Sequence, residues 1–299
     1  MAACVLAASF LGLVACSSPE SSAEAGQAGE NLNGRQDAIT VFAASSLATA
    51  FQEISEAYES NYPGNRVILN FDGSQRLRTQ LEHGAAADVF ASADWAQMDA
   101  LQEKGLLAGN PTTFASNRLV LLLAAEVGNP AEGSALQDPK TQGMVGGFAR
   151  QLSLLSQPGR KIVLGQPQVP IGRYSEALME QIAEDPSLGP DLVENLFANV
   201  VSRESSVRGV AQKVALGEAD GGITYATDAL TEYTSRGVRV VELPDSLSVQ
   251  ATYPVAPLAR TVSANRFIEF LLSEKGQHIL GNHGFGPPSG IRSGDPDIR

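Results

Sequence analysis

The sequence has little cysteine and fewer basic than acidic residues, and each shortage excludes a class of function. The two cysteines of the 299-residue chain, Cys4 and Cys16, lie near its start, so no disulfide or cysteine metal site can form in the rest of it. Its 21 lysines and arginines stand against 33 acidic residues, a formal charge of −12. No basic stripe is visible, and nucleic acid is therefore not an expected partner.

The motifs of common hydrolases and nucleotide-binding enzymes are also absent. No Gly-x-Ser-x-Gly elbow, no Gly-Lys-Ser/Thr phosphate loop and no His-Glu-x-x-His occurs. The chain has three histidines, and His278 and His283 are spaced poorly for a helical metal site. We therefore predict that the protein is not an enzyme and carries no cofactor. An exported α/β hydrolase that uses His278 or His283 is the alternative from a different class.

The start of the chain predicts export and a lipid anchor. Residues 1–15 are apolar, rich in small residues and uncharged, as in an export signal that lacks its basic leader. Leu13-Val14-Ala15-Cys16 resembles a lipobox, in which the cysteine is lipidated and becomes the mature N-terminus; a plain signal peptide is the alternative. This run is too short for a spanning helix. We predict a lipoprotein signal segment at 1–16 and a disordered tether at 17–38, because the tether is rich in small and polar residues.

From Ile39 onward strands alternate with helices, which predicts an α/β fold. The length and the 43% hydrophobic content suffice for two cores, so two domains are expected. The apolar runs 119–124 and 251–258 fit buried strands that cross between the domains. Further strands are predicted at 39–44, 66–71, 88–93, 161–165, 221–225 and 238–243, and helices from 47, 75, 95, 169 and 207 and around 192–196 and 267–271. The segment 126–160 gives no clear prediction.

Four stretches share one pattern, in which a turn with small residues is followed by a helix N-terminus. They are centred on Ser46, Ser74, Ile171 and Val207. Backbone N–H groups at a helix N-terminus have no partner within the helix and, with the helix dipole, suit an anion. Each turn alone is weak evidence, because every α/β fold has such turns and serine is an ordinary N-cap. Together they predict a ligand held by neutral dipoles.

Five motifs occur in an order that resembles the molybdate-binding proteins of ABC transporters. They are ITVFAASSL at 39–47, FDGS at 71–74, ADVFASAD at 87–94, VPIGRY at 169–174 and GITY at 222–225. The resemblance extends to Gly284-Phe285. The five motifs together are specific for this family, although no single motif is. It implies a two-lobed type 2 periplasmic-binding-protein fold, each lobe a mainly parallel sheet flanked by helices, with the ligand in the cleft between lobes. Lobe I is expected at 39–118 plus 256–299, and lobe II at 119–255.

The resemblance also implies which residues contact the ligand. Ser46 and Ser74 would donate through their hydroxyls and backbone N–H groups, Ile171 and Val207 through backbone N–H groups, and Tyr225 through its hydroxyl. Molybdenum would be bound by these five residues as the molybdate oxyanion, not as a bare cation.

Two positions depart from the family pattern. Ile171 stands where a small residue is usual, which is tolerable if only its N–H binds. Asp72 stands where a neutral residue is usual, and a carboxylate there would repel a dianion. Arg76 could offset that charge or touch the ligand itself. We interpret Asp72 and Arg76 as a solvated surface pair.

The implied function is capture of molybdate, with tungstate as a second ligand, and delivery to the membrane permease of an ABC transporter. Closure of the two lobes on the ligand is the expected mechanism. We expect an exported monomer, attached to the membrane through its lipid anchor at the outer face of the cytoplasmic membrane or in the periplasm. A sulfate- or phosphate-binding protein is the alternative within the same class.

Overall fold

The computed structural model describes residues 37–127, 144–229, 237–247 and 249–288. Cys16, the predicted signal segment and nearly all of the predicted tether lie outside these ranges. The strands are β1 (Asp37–Ala44), β2 (Asn65–Asp72), β3 (Val89–Ala91), β4 (Thr112–Leu123), β5 (Ile162–Gly165), β6 (Val200–Glu204), β7 (Gly221–Tyr225), β8 (Arg239–Glu242) and β9 (Gln250–Pro257). The helices are α1 (Ala48–Asn61), α2 (Ser74–Glu82), α3 (Trp95–Glu103), α4 (Met144–Leu155), α5 (Pro170–Glu184), α6 (Pro190–Ala198), α7 (Val207–Ala215), α8 (Ala226–Ala229), α9 (Val262–Leu272) and α10 (Glu274–Asn282).

The described strands form one mixed sheet in the order β2-β1-β3-β9-β4-β7-β5-β6, and β8 pairs with β4. At one end β1 runs parallel to β2 and β3, and at the other β5 runs parallel to β6 and β7. The central strands β4 and β9 run antiparallel to their neighbours. The α/β prediction is confirmed, and parallel pairing holds for the outer strands. The sheet is mixed because the chain crosses its middle in both directions.

Strand β4 connects the two ends of the sheet. Its residues 112–118 pair with β9, and its residues 119–123 pair with β7 and β8. From Phe114 to Leu123 every residue except Arg118 is buried, as expected for a strand covered on both faces. The apolar run 119–124 is thus the second part of a longer strand. We call residues 37–103 the N-terminal segment and residues 162–225 the middle segment; the exact lobe boundaries stay a prediction.

Helix α1 shows how the sequence pattern produces the core. Leu47, just before it, and Phe51, Ile54 and Tyr58 within it repeat at helical spacing, and all four are fully buried. Burial of each such side chain stabilises the fold by about 1.5–3 kcal/mol. The Tyr58 ring packs edge-on against Phe267 of α9, with 5.4 Å between ring centroids. The N-terminal segment therefore shares a core with the chain that returns through β9.

Several elements differ from the sequence prediction. Strand β3 is shorter than the predicted 88–93, because Ser92 and Asp94 leave the strand and Asp94 caps α3 by accepting from the Gln97 N–H. Strand β6 was missed, since its residues are only partly buried and show no clean alternation. Helix α10 was also missed; it begins directly after α9 at the Ser273 cap. No described helix is both long and apolar enough to cross a membrane.

Candidate functional site

All five predicted ligand residues lie around one small pocket. It encloses about 200 Å³ of empty space, its open mouth included. Ser46 and Ser74 come from the N-terminal segment, and Ile171, Val207 and Tyr225 from the middle segment. The other lining residues are Ala44, Ser45, Gly73, Ala93, Val169, Pro170 and Ser206. The fold thus brings together predicted ligand residues that lie up to 179 residues apart along the chain, from Ser46 to Tyr225.

Four helical starts contribute to the pocket wall. Ser46 lies in the 3-10 turn Ser45–Leu47 that leads into α1, and Ser74 is the first residue of α2. Ile171 follows Pro170 at the start of α5, where proline is favoured because its missing N–H would have no helical partner. Val207 is the first residue of α7. Backbone N–H groups in these first turns have no helical acceptor, so they are available to an anion.

Tyr225 ends strand β7 and is almost completely buried. Its hydroxyl has no hydrogen-bond partner among the described residues. Burial raises the pKa of Tyr225 well above its usual range, so the hydroxyl stays protonated and can donate. A buried donor left unpaired costs about 1–3 kcal/mol. An oxygen atom of a bound anion would remove that cost.

The two serine hydroxyls each have one protein partner. Ser74 Oγ accepts a hydrogen bond from the Ala93 N–H at 3.1 Å. Ser46 Oγ lies 3.1 Å from the hydroxyl of Tyr253, a fully buried residue of β9. Ser74 therefore keeps its own hydrogen for a further partner, whereas either hydroxyl of the Ser46–Tyr253 pair can be the donor.

None of the described residues that line the pocket has a charged side chain. Asp72 accepts from the Gly73 N–H at 2.7 Å and lies 3.6 Å from Arg76, and both side chains are partly exposed. Neither residue lines the pocket. Asp72 and Arg76 therefore form the surface pair that we interpreted from the sequence, and Asp72 contacts the pocket wall only by accepting from the Gly73 backbone N–H. The pocket itself offers neutral donors, which suits a small, fully deprotonated anion.

The N-terminal and middle segments touch each other beside the pocket. The Gln75 side chain donates from Nε2 to the backbone oxygen of Ser205 at 2.8 Å. Arg173 of α5 forms an ion pair with Asp94, which is almost completely buried. Burial raises the pKa of Asp94, and the positive charge of Arg173 opposes that rise. Both segments thus line the pocket and contact each other directly beside it.

Sequence reasoning missed residues on the wall and behind it. Ser206 caps α7 by accepting from the Gly209 N–H and lines the pocket, and Ser45 lines it beside Ser46. Asn117 and Tyr253 lie behind the wall and support Ser46. A signal for these two was present, because each places a polar group in a largely buried strand, where it needs a partner.

Comparison with known proteins gives the family. A family model described as bacterial extracellular solute-binding protein matches residues 39–286. The molybdate-binding protein ModA of Mycobacterium tuberculosis is 39% identical over 280 residues, which cover 93% of this chain and 94% of that protein.

Two solved structures are similar to this chain in fold. The substrate-binding domain of a putative molybdenum ABC transporter from Clostridium difficile is 27% identical with a TM-score of 0.58, and the match covers 85% of this chain and 100% of that one. The Azotobacter vinelandii periplasmic molybdate-binding protein is 21% identical with a TM-score of 0.64, covering 84% and 100%, and shows the fold alone. The fold is that of type 2 periplasmic binding proteins, and the chain belongs to the family of bacterial extracellular solute-binding proteins.

Proposed function

We propose that this protein binds molybdate, and tungstate as its close analogue, between the N-terminal and middle segments and delivers it to the permease of an ABC transporter. One observation carries the proposal: Ser46, Ser74, Ile171, Val207 and Tyr225 converge on one pocket whose described wall has hydroxyls and helix N-termini but no charged side chain. Such donors can satisfy the oxygens of a tetrahedral dianion without a counter-charge. The named molybdate-binding relatives support the choice of oxyanion.

Selection among dianions would follow from size. Sulfate also accepts hydrogen bonds at every oxygen, but its bonds are shorter than those of molybdate. Donors fixed at the starts of α1, α2, α5 and α7 would then lie too far from its oxygens. Molybdate and tungstate should therefore bind more tightly than sulfate, and the sulfate-type alternative predicts the opposite order.

Calorimetric titration of the exported chain with molybdate, tungstate, sulfate and phosphate tests the function. We expect tight binding of molybdate and tungstate and much weaker binding of the other two. Sulfate or phosphate binding that exceeds molybdate binding would overturn the assignment. As a control, Ser273→Ala removes a helix cap remote from the pocket and should change stability without changing anion affinity.

The hydrolase alternative has no support in the site geometry. None of the three histidines lines the pocket; His83 contacts the Thr79 carbonyl oxygen, His283 contacts Glu53 at 2.8 Å, and His278 is exposed. A serine nucleophile in this pocket would have no neighbouring histidine base. Turnover of ester and phosphoester substrates and the thermal shift caused by oxyanions distinguish the two functions. No turnover together with a thermal shift would support the binding protein and contradict the hydrolase.

The cellular arrangement is the remaining part of the proposal. We infer that Cys16 carries the lipid anchor and that the closed monomer is the form the permease recognises. The predicted tether 17–38 would connect the binding unit to the membrane, except for its last two residues, Asp37 and Ala38, which belong to β1. The lipobox-like sequence before Cys16 and the small polar residues after it support this arrangement. Membership of an extracellular solute-binding family agrees with export.

A further inference from the structure

A buried chain of polar groups lies behind the pocket wall and reaches Ser46. It starts at Asn117 of β4, whose Nδ2 lies 2.8 Å from Thr227 Oγ1 and 3.3 Å from the hydroxyl of Tyr253 in β9. The Tyr253 hydroxyl in turn lies 3.1 Å from Ser46 Oγ. These side chains are buried, so water does not compete for their hydrogen bonds.

The direction of these hydrogen bonds can be worked out from one end. The Arg118 backbone N–H donates to Asn117 Oδ1 at 2.9 Å, and a backbone N–H can only donate. The other amide atom of Asn117 is therefore the nitrogen, which donates to both of its neighbours. Tyr253 accepts from Asn117, and its own hydrogen needs an acceptor elsewhere. Within the described ranges that acceptor is Ser46 Oγ.

We propose that Tyr253, held by Asn117, fixes the Ser46 hydroxyl as a hydrogen-bond donor toward the pocket and thereby makes the site select fully deprotonated oxyanions. Ser46 accepts from Tyr253, so its hydrogen points away from that residue and into the pocket that it lines. The Ala93 N–H donates to Ser74 Oγ in the same way, so the Ser74 hydroxyl is also oriented as a donor. The proposal rests on the proposed function. It adds Tyr253 as the residue that makes the site select a ligand without a proton.

The Tyr253 side chain is rigidly held, which a positioning residue requires. Its ring is fully buried and packs edge-on against Phe114, Tyr225 and Phe285, with centroid distances of 6.3, 5.9 and 5.5 Å. Burial, reinforced by the negative charge of Asp228, raises the pKa of Tyr253 well above its usual range. The hydroxyl thus keeps the hydrogen that it gives to Ser46 over the whole pH range of a binding experiment.

Selectivity follows from the proton of the ligand. Sulfate and hydrogen phosphate are nearly equal in size and charge, but hydrogen phosphate has a proton that needs an acceptor. With both serines fixed as donors and Tyr225 protonated, none of the three proposed ligand hydroxyls is oriented to accept that proton, and Ser206 Oγ already accepts from the Gly209 N–H. The ratio of the phosphate to the sulfate dissociation constant therefore measures the cost of binding a protonated anion. The effect of ligand size drops out of this ratio, because the two anions are nearly equal in size.

The test is titration of the intact chain with molybdate, sulfate and phosphate at about pH 8, where phosphate is mostly the dianion, for wild type and Tyr253→Phe. In Tyr253→Phe the Ser46 hydroxyl is free to rotate and accept the phosphate proton. The phosphate-to-sulfate ratio should fall about tenfold, within the range for one unsatisfied buried hydrogen-bonding group. Tyr58→Phe, which changes a fully buried tyrosine outside the pocket, should leave the ratio unchanged.

A double-mutant cycle separates positioning from a general loss of packing. In a Ser46→Ala background, Tyr253→Phe should not lower the ratio further, because its effect passes through the serine. An equal fall with and without Ser46, or an unchanged ratio in Tyr253→Phe that still binds molybdate, would overturn the inference and leave the proposed function intact. Wild-type protein that binds no molybdate would instead overturn the function, and the inference with it.

Discussion

At the scale of single residues, the pocket depends on hydroxyl hydrogens whose directions are fixed by neighbours. Ser74 accepts from the Ala93 N–H, and Ser46 lies against Tyr253. Each serine can therefore give its hydrogen to a charged ligand, and such a hydrogen bond contributes about 1.5–3 kcal/mol.

Ser46→Ala and Ser74→Ala should each weaken molybdate binding by about 1.5–3 kcal/mol, because each removes a hydrogen bond to a charged ligand. Tyr225→Phe should also weaken it, since that hydroxyl comes from the opposite segment. Isothermal titration calorimetry measures all three. Ile171→Ala is the matched control: its proposed contact is through the backbone N–H, so affinity should stay nearly unchanged. Wild-type affinity in the Ser46→Ala, Ser74→Ala double variant would place the ligand elsewhere.

Asp228 of α8 predicts a pH dependence of stability. Burial raises its pKa from 3.8 to about 7, and the charge of Arg208 opposes that rise only in part. At a pH between 3.8 and about 7, this carboxyl is ionised in the unfolded chain but still protonated in the folded chain. Its contribution to the free energy of unfolding is therefore full below pH 3.8 and is lost as pH rises through 7. The loss is about 4 kcal/mol at 1.36 kcal/mol per unit of pKa.

Asp228→Asn should remove this loss, so the variant should gain stability relative to wild type as pH increases from 4 to 8. Urea unfolding at several pH values measures the difference. Asp185→Asn serves as control, because hydrogen bonds from Ser187 lower the pKa of that exposed carboxyl and give a contribution of opposite sign. Parallel stability curves for wild type and Asp228→Asn would contradict the prediction.

At the scale of elements, the starts of α2 and α7 meet across the pocket. A Cβ atom built on Gly73 would lie 2.3 Å from the Ser205 backbone oxygen, which no real contact allows. Gly73 has φ −60° and ψ 136°, a backbone conformation that alanine adopts without strain. Its lack of a side chain is therefore required by the approach of the middle segment and not by the local turn.

Gly73→Ala should leave the N-terminal segment folded but hinder closure over the ligand. Since apparent affinity falls with the fraction of molecules that can close, molybdate binding should weaken about tenfold or more. Titration gives the affinity, and small-angle scattering with and without molybdate reports closure. Gly281→Ala is the control, because no atom lies within 4 Å of a Cβ placed there. A Gly73→Ala protein that closes and binds like wild type would show that the segments do not need this contact.

At the scale of the whole molecule, the binding unit is expected to be held at a membrane by a tether. If Cys16 is lipidated, Cys16→Ser should move the protein from the membrane fraction to the soluble fraction and leave oxyanion affinity unchanged. A single acyl chain binds membranes only marginally, so firm association requires the several chains of a lipoprotein anchor. Detergent-phase partition measures it. Cys4→Ser changes the other cysteine and should partition like wild type; equal partition of Cys16→Ser and wild type would contradict the anchor.

Sequence patterns predict most of the helices and strands, and the family resemblance names five of the residues that line the pocket. The apolar stripe of α1 and the serines at helix starts follow local rules of periodicity and capping, so they can be read from neighbouring residues. The antiparallel pairing of β4 and β9 could not be read in this way, because it depends on which distant strands become neighbours. The same holds for the Asn117–Tyr253–Ser46 chain, whose members lie on three elements, and for the approach of Gly73 to Ser205. These contacts become visible in the folded chain alone, because hydrogen-bond direction and steric fit depend on the positions of atoms that lie far apart in the sequence.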